Sequence, residues 1–336
     1  MIAFLNHVHK IKFQHNAIKT LKNNLSVQEA FLHVDFSENY SLKFAEEVQA
    51  FHFGGSRQQV SLHTSVAYTH NFTFGAIIPI SFCTVSDCLR HDAPAIWAHL
   101  VPLIQHVIEV NPLIETLHLL SDSPSSQYRN KYMFFIITQI CQDFPQIRKI
   151  TWNYSEAGDR KGAPDGVGAV LKRTADRMNL FGKDVGTYDQ FCDILMQNVD
   201  NVIIKKVDEQ EITTKERLIP NNLKTFKGTL SMYQVLWDRT VPTTVLRQLS
   251  CFDCNADKKC IHGYDLGCVP NYSHENIENV SPNYVAPLSK LVNRNQGNRM
   301  QNPNKQIVVL SDIKIGETNS FYIGDYGEPR PSTSKF

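Results

Sequence analysis

What this chain lacks narrows the field first. No apolar run approaches the length needed to cross a bilayer. The stretch Met1–Lys19 offers no clean hydrophobic segment behind a positive start, because His7, His9 and Lys10 interrupt it. A secretory leader is therefore not expected. An intracellular location is, with the eight cysteines in reduced form. An excess of one charge sign is missing too: 34 Lys and Arg stand against 33 Asp and Glu, for a formal net charge of +1. Bulk electrostatics thus selects neither for nor against a nucleic-acid partner, and a local basic patch would have to do that work. There is no internal repeat and no clear nuclear-localisation run. No glycine elbow surrounds Ser123 of the kind that presents a nucleophilic serine.

What is present suits a globular protein. The 336 residues allow one large domain or two smaller ones, and 42% hydrophobic with 20% charged residues is ordinary for a chain with a real core. Cys83, Cys88, Cys141 and Cys192 are scattered among apolar residues and read as small buried hydrophobes.

Two short apolar runs end in aspartate. Ala30–Val34 leads into Asp35, and Leu117–Ser121 leads into Asp122. Bounded by polar residues, each reads as a buried strand. A carboxylate at the end of a central strand stands on the rim where open α/β sheets bind ligands. On neighbouring strands the two would face and repel one another, and magnesium between them would relieve the repulsion.

The remaining pattern fills in around these runs. Residues 1–26 form a weakly amphipathic helix. Glu46–Phe53, the turn Gly54-Gly55-Ser56 and Gln58–Thr69 suggest an antiparallel hairpin, and Ala76–Val85 a further strand. Pro94 opens a helix with Ile96, Leu100, Leu103, Ile104 and Val107 on one face. Asp92 before it reads as an N-cap. Ser123-Pro124 reads as the start of the next helix, running to Phe144. Arg148–Tyr154 is a strand, Gly158–Gly162 a bend, and Pro164 the opening of another helix. Three antiparallel strands followed by strand–helix–strand–helix predict a mixed five-stranded sheet with helices on both faces. The expected organisation is an N-terminal helix over 1–26 and an α/β core over 27–185. A C-terminal extension follows over 186–269, with a helix at Tyr188–Val199 and strands at Val202–Val207 and Leu230–Trp237. Residues 270–305, rich in Asn and Pro, predict a disordered linker, and 306–336 a small β segment and tail.

A third acid is needed beside Asp35 and Asp122. Glu156 follows its strand directly. Asp165 falls in the first turn of the next helix, where the dipole favours a negative side chain. Asp165 is the better placed of the two, and Glu156 stays open. Each acid also has a plain role in turn or cap formation. Arg160, Lys161, Lys172, Arg173 and Arg177 cluster in sequence around Asp165 and suggest a phosphate-holding patch, which Arg129 and Lys131 would extend.

Three segments carry a resemblance to a family. They are Val34–Tyr40, Ser121–Tyr128, and Gly162–Gly168 with Lys172-Arg173. Together they resemble the core of RNase H-like (DDE/DDD) transposases and their domesticated relatives over residues 30–180. The resemblance implies an RNase H-like α/β fold with acids at Asp35, Asp122 and Asp165. It implies two magnesium (or manganese) ions bridged by Asp35, cleavage and strand transfer on DNA, and a nuclear location. Asp159-Arg160 stand where relatives often have His-Gly, and the chain begins just before its first strand. A decayed form without turnover, or a non-catalytic nucleic-acid-binding or protein-interaction module on the same fold, is therefore the alternative. DNA is the expected partner and oligomers are compatible with it; no membrane and no small-molecule cofactor are expected. Separately, Cys251-x2-Cys254-x5-Cys260-x7-Cys268, with His262 inside, suggests a structural zinc.

Overall fold

The computed structural model describes residues 2–46, 57–156 and 162–271. Outside them lie the turn at Gly54–Ser56 with most of the arm before it, Arg160 and Lys161 in the second glycine bend, nearly all of the expected linker, and the segment 306–336.

The described residues form a mixed α/β fold of RNase H-like type. Five strands make its centre: β1 (Glu29–Ser41), β2 (Gln59–Asn71), β3 (Ala76–Ser86), β4 (Thr116–Ser121) and β5 (Lys149–Tyr154). β1, β2 and β3 pair antiparallel, and β4 and β5 join in parallel on the other side of β1. Beyond the expected five, β6 (Ile203–Lys206) adds in parallel beside β3. β7 (Gln234–Asp238), β8 (Thr243–Arg247) and β9 (Asp265–Pro270) continue antiparallel from β5, giving the order β6-β3-β2-β1-β4-β5-β7-β8-β9. Both edges of the central five had unpaired backbone groups to satisfy, and the C-terminal segments cover them.

Alternation along β1 separates the two faces. Ala30, Leu32 and Val34 join the core cluster that also holds α2 (Ala93–Val110) and α3 (Lys131–Asp143). Phe31 points the other way, onto Ile18 and Leu21 of α1 (Ile2–Asn23). On that face α4 (Ala163–Leu180) and α5 (Tyr188–Asn198) close a second cluster, which contains Val167, Leu171, Phe191 and Leu195. A short helix, α6 (Glu209–Arg217), packs its Ile212 against Ala95 and Ala98 of α2.

Three expectations change. β1 does not stop at Asp35. Phe36 and Ser37 keep pairing with His63 and Leu62, and after a bulge Tyr40 pairs with Val60, so Asp35 lies at the end of the parallel pairing but inside the strand. The third helix starts at Lys131, not at Ser123. Asn130 caps it through Tyr132 N and Met133 N, and Pro124 O instead closes a turn that accepts from Gln127, Tyr128 and Arg129. Finally, Ala93–Val110, with a mean hydropathy of 1.2, is long and apolar enough by composition to cross a membrane. Most of it is buried inside the protein, and Asp92 caps it as expected.

Close approach of α4 to β1 fixes where the first turn of α4 sits. At Gly168 a Cβ would meet Ser37 Oγ at 2.6 Å and Ser37 Cβ at 3.1 Å. Gly168→Ala should therefore cost about 1–3 kcal/mol of stability by overpacking, read as a lower urea midpoint. Adding Ser37→Ala, which removes the nearer atom, should recover part of that loss; no recovery would mean the contact is not what sets the spacing.

Candidate functional site

The parallel ladder between β1 and β4 ends at His33 opposite Leu120. Continued by two residues, the same register sets Asp122, the first residue after β4, beside Asp35. Asp165 comes from the first turn of α4, and Ser155 and Glu156 follow β5 directly. Asp35, Asp122, Asp165 and Glu156 all line a single cavity of about 1000 Å³. The fold thus brings Asp35, Asp122 and both candidates for the third acid to one cavity, although their strands and helix are far apart in the chain.

The electrostatics show which acids feel one another. Burial, then the charges of Asp122 and Asp165, push the Asp35 carboxyl up to about 7. Burial, then Asp165, push Asp122 up to about 6. Asp165 thus acts on both aspartates, whereas Glu156 is not among the causes of either shift. Asp122 Oδ1 is buried and has no hydrogen-bond partner. Asp165 Oδ2 accepts from Gly162 N at 2.7 Å. The helix-cap role and the cavity position belong to the same side chain, one oxygen serving the cap. Glu156 Oε1 lies 2.9 Å from His7 Nδ1 and is tied to α1.

Several cavity residues carried no sequence signal. His15, Lys19, Lys22 and Asn23 of α1 form one wall, and His33 contributes to another, beside Arg129, which the sequence offers as an extension of the basic patch. Burial, then the charge of Lys22, push His33 down to about 4, against the pull of Asp165. Its imidazole packs so close to Gly162 that a Cβ there would lie 2.9 Å from Nε2. From its helical period α1 is only weakly amphipathic; its Lys19 and Lys22 reach the cavity because Phe31 of β1 packs on Ile18 and Leu21. Lys22 Nζ also sits over the Tyr68 ring, 3.7 Å from its centroid.

Of the expected basic patch, Arg129 lines the cavity, and Arg160 and Lys161 lie outside the described residues. Lys172, Arg173 and Arg177 do not line the cavity, because α4 carries them away from the sheet end at 1.5 Å per residue. Lys131 lies apart as well, donating to Leu223 O at 3.0 Å. Glu38, Asn39 and Tyr40 leave the site with the strand, and the Tyr40 hydroxyl donates to Asp176 at 2.9 Å.

The cysteine cluster is rearranged. Cys251, Cys254 and His262 offer ligand atoms that all lie within 4.8 Å of one another. Cys260 stands outside that trio, and its sulfur accepts from Gly263 N at 3.0 Å. Cys268 is exposed on β9 and stands outside that group, which includes His262. The acids are spread more widely: among the described residues only the cysteine–histidine set meets the 4.8 Å spacing.

The raised acids have a consequence for stability. Above the ordinary carboxylate value of 3.8, the native state holds these protons more tightly than the unfolded chain does. Their contribution is complete below that value and is lost as pH rises through about 6 and 7. In cation-free buffer, Asp35→Asn should match the wild type near pH 4 and melt at a higher temperature at pH 8. Wild type and variant melting in parallel across that range would show that Asp35 is not under such strain.

Comparison with solved structures gives the nuclease domain of the human cytomegalovirus terminase, manganese-soaked and inhibitor-bound. Identity is 12% and TM-score 0.23, over 56% of this chain and 70% of that one; a likeness so slight carries no inference about chemistry. No curated protein matches the chain. Residues 14–239 match the family described as "Domain of unknown function (DUF8701)"; that span contains the whole acid cavity apart from its most N-terminal support, and the chain belongs to this family.

Proposed function

We propose that this chain is a transposase-derived, RNase H-like protein that binds DNA and cleaves its phosphodiester backbone with magnesium or manganese. What carries the reading is the convergence of Asp35, Asp122 and Asp165 on one cavity, at the end of the parallel pairing where α/β sheets take their ligands. The donors suit a hard cation. All are carboxylate oxygens, and the buried Asp122 Oδ1 has no hydrogen bond to give up. Burial, and then their mutual repulsion, keep Asp35 and Asp122 partly protonated near neutrality.

When bound, such ions would activate the attacking oxygen and stabilise the leaving one. The residues themselves have the following tasks. Asp35, which feels the charges of both Asp122 and Asp165, would hold the ions together with those two acids. Binding displaces the extra protons that Asp35 and Asp122 hold, so affinity for the cation rises with pH up to about 7. Lys19, Lys22 and Arg129 supply the positive wall that holds phosphate, in place of the patch on α4. Glu156, held by His7, positions that wall against β5 and is the reserve candidate for the third acid. A nuclear location goes with a DNA substrate.

Two measurements test this. Supercoiled plasmid should be nicked with manganese or magnesium and left intact in EDTA, and Asp122→Ala should reduce nicking to background. Salt-sensitive DNA binding without any cleavage would leave the binding module as the function, and cleavage confined to RNA–DNA hybrids would replace the substrate. Lys19→Ala should weaken DNA binding evenly across sequences and lower the salt-dependence slope by about 1; an unchanged slope would remove α1 from the DNA path.

A further inference from the structure

We infer that Cys251, Cys254, Cys260 and His262 form a structural zinc site whose occupancy holds α1, the basic wall of the acid cavity, against the sheet. The inference rests on the geometry of this knuckle and stands whether or not the acids cleave DNA.

The ligand atoms are already near tetrahedral spacing. His262 Nδ1 lies 3.8 Å from Cys251 Sγ and 3.4 Å from Cys254 Sγ. Zinc bonds of about 2.3 Å to sulfur and 2.1 Å to nitrogen, opened at the tetrahedral angle, require about 3.6 Å between such atoms. Cys260, on the turn beside this trio, is the fourth ligand that the proposal adds to it. Its sulfur already accepts from Gly263 N at 3.0 Å, the kind of outer hydrogen bond that orients a thiolate ligand.

The frame around the ligands is rigid before any ion arrives. Arg247, fully buried, donates from Nη1 to Cys251 O at 3.2 Å and to Cys254 O at 3.1 Å, and from Nη2 to Asn255 O at 3.0 Å. Its Nε donates to Asp265 Oδ1 at 3.1 Å, and Asp265 Oδ2 in turn accepts from Cys260 N at 2.8 Å. One ion pair thus fixes both limbs of the knuckle, the Cys251–Asn255 loop and the turn carrying Cys260. Three thiols would release three protons to solvent on binding. The resulting net charge of −1 on the Zn(Cys)3(His) unit sits beside the Arg247 guanidinium.

Two contacts transmit this to α1. Ser250, next to Cys251, donates from its backbone N to Gln14 Oε1 at 2.8 Å, and Gln14 Nε2 donates to Ser250 Oγ at 2.9 Å and to Tyr154 O at 3.1 Å. Gln14 is buried, so these bonds are costly to lose. Phe252, between the first two ligands, packs on the cluster of Ile18, Leu21 and Phe31. One turn further along α1 lie Lys19 and Lys22 of the cavity wall.

The experiment uses the full chain purified without chelator. Metal analysis should give about one zinc per chain. Zinc should be lost in His262→Ala and in Cys254→Ser and kept in Cys268→Ser. Should the first two variants fail to fold, cobalt-substituted wild type should still show the absorption of a tetrahedral thiolate–imidazole site, and Cys268→Ser should keep that spectrum. Stripping the metal should speed amide exchange across residues 2–23 while β1 and β4 stay protected, and zinc but not magnesium should restore protection. A zinc-free wild type overturns the site. Loss of zinc in Cys268→Ser, or its retention in His262→Ala, overturns the ligand set, and unchanged exchange in α1 overturns the coupling.

Discussion

The parallel pairing of β1 with β4 is the constraint on which the site depends. It aligns two strand segments that are distant in sequence, and its register brings Asp122 alongside Asp35 just past the last paired residues. The neighbours in the ladder are apolar and buried on one face, Leu32 and Val34 against α2 and α3, so a slip by one residue would turn that face out to solvent. Core packing therefore buries two carboxyls, which is the larger part of their cost, and brings their like charges together, which adds to it. The raised carboxyls are the visible result.

Asp165 is held by a different device. Its own helix start fixes it, one oxygen capping Gly162, while Gly168 lets α4 approach β1 closely. The third acid is thus aimed from above the sheet by local helix chemistry and by the absence of a side chain at one contact. Nothing in this arrangement requires the exposed cations further along α4, which explains why they stand apart from the cavity.

The C-terminal strands do more than lengthen the sheet. β7 and β8 pair outward from β5, and the loop after β8 carries Ser250 and the cysteine knuckle back toward α1. The N-terminal helix and the chain's last described segments therefore meet on the acid side of the sheet, through Gln14, Tyr154, Asn153 and Ser250. That buried polar network is satisfied member by member, which makes it specific as well as stabilising.

Several features could be read without coordinates because their signal is local. Short apolar runs bounded by polar residues marked β1 and β4. A proline near the start marked α2 and α4, and the alternation of strands and helices set the antiparallel triplet and parallel pair. The acids were visible because each sits where such a run ends or a helix begins. Long-range facts were not visible. The start of α3 went to Asn130 because its side chain could reach two backbone amides once Tyr128 and Arg129 turned inward. The basic wall came from α1, whose lysines gain meaning only from where Phe31 seats the helix. His262 lies close to Cys251 and Cys254 while Cys268 sits on an exposed outer strand, which spacing alone does not reveal. By itself the sequence determined which residue types were available and which elements would carry them. The tertiary structure decided which of them meet, because strand register, helix approach and the return of the C-terminal loop depend on packing between segments that no local pattern records.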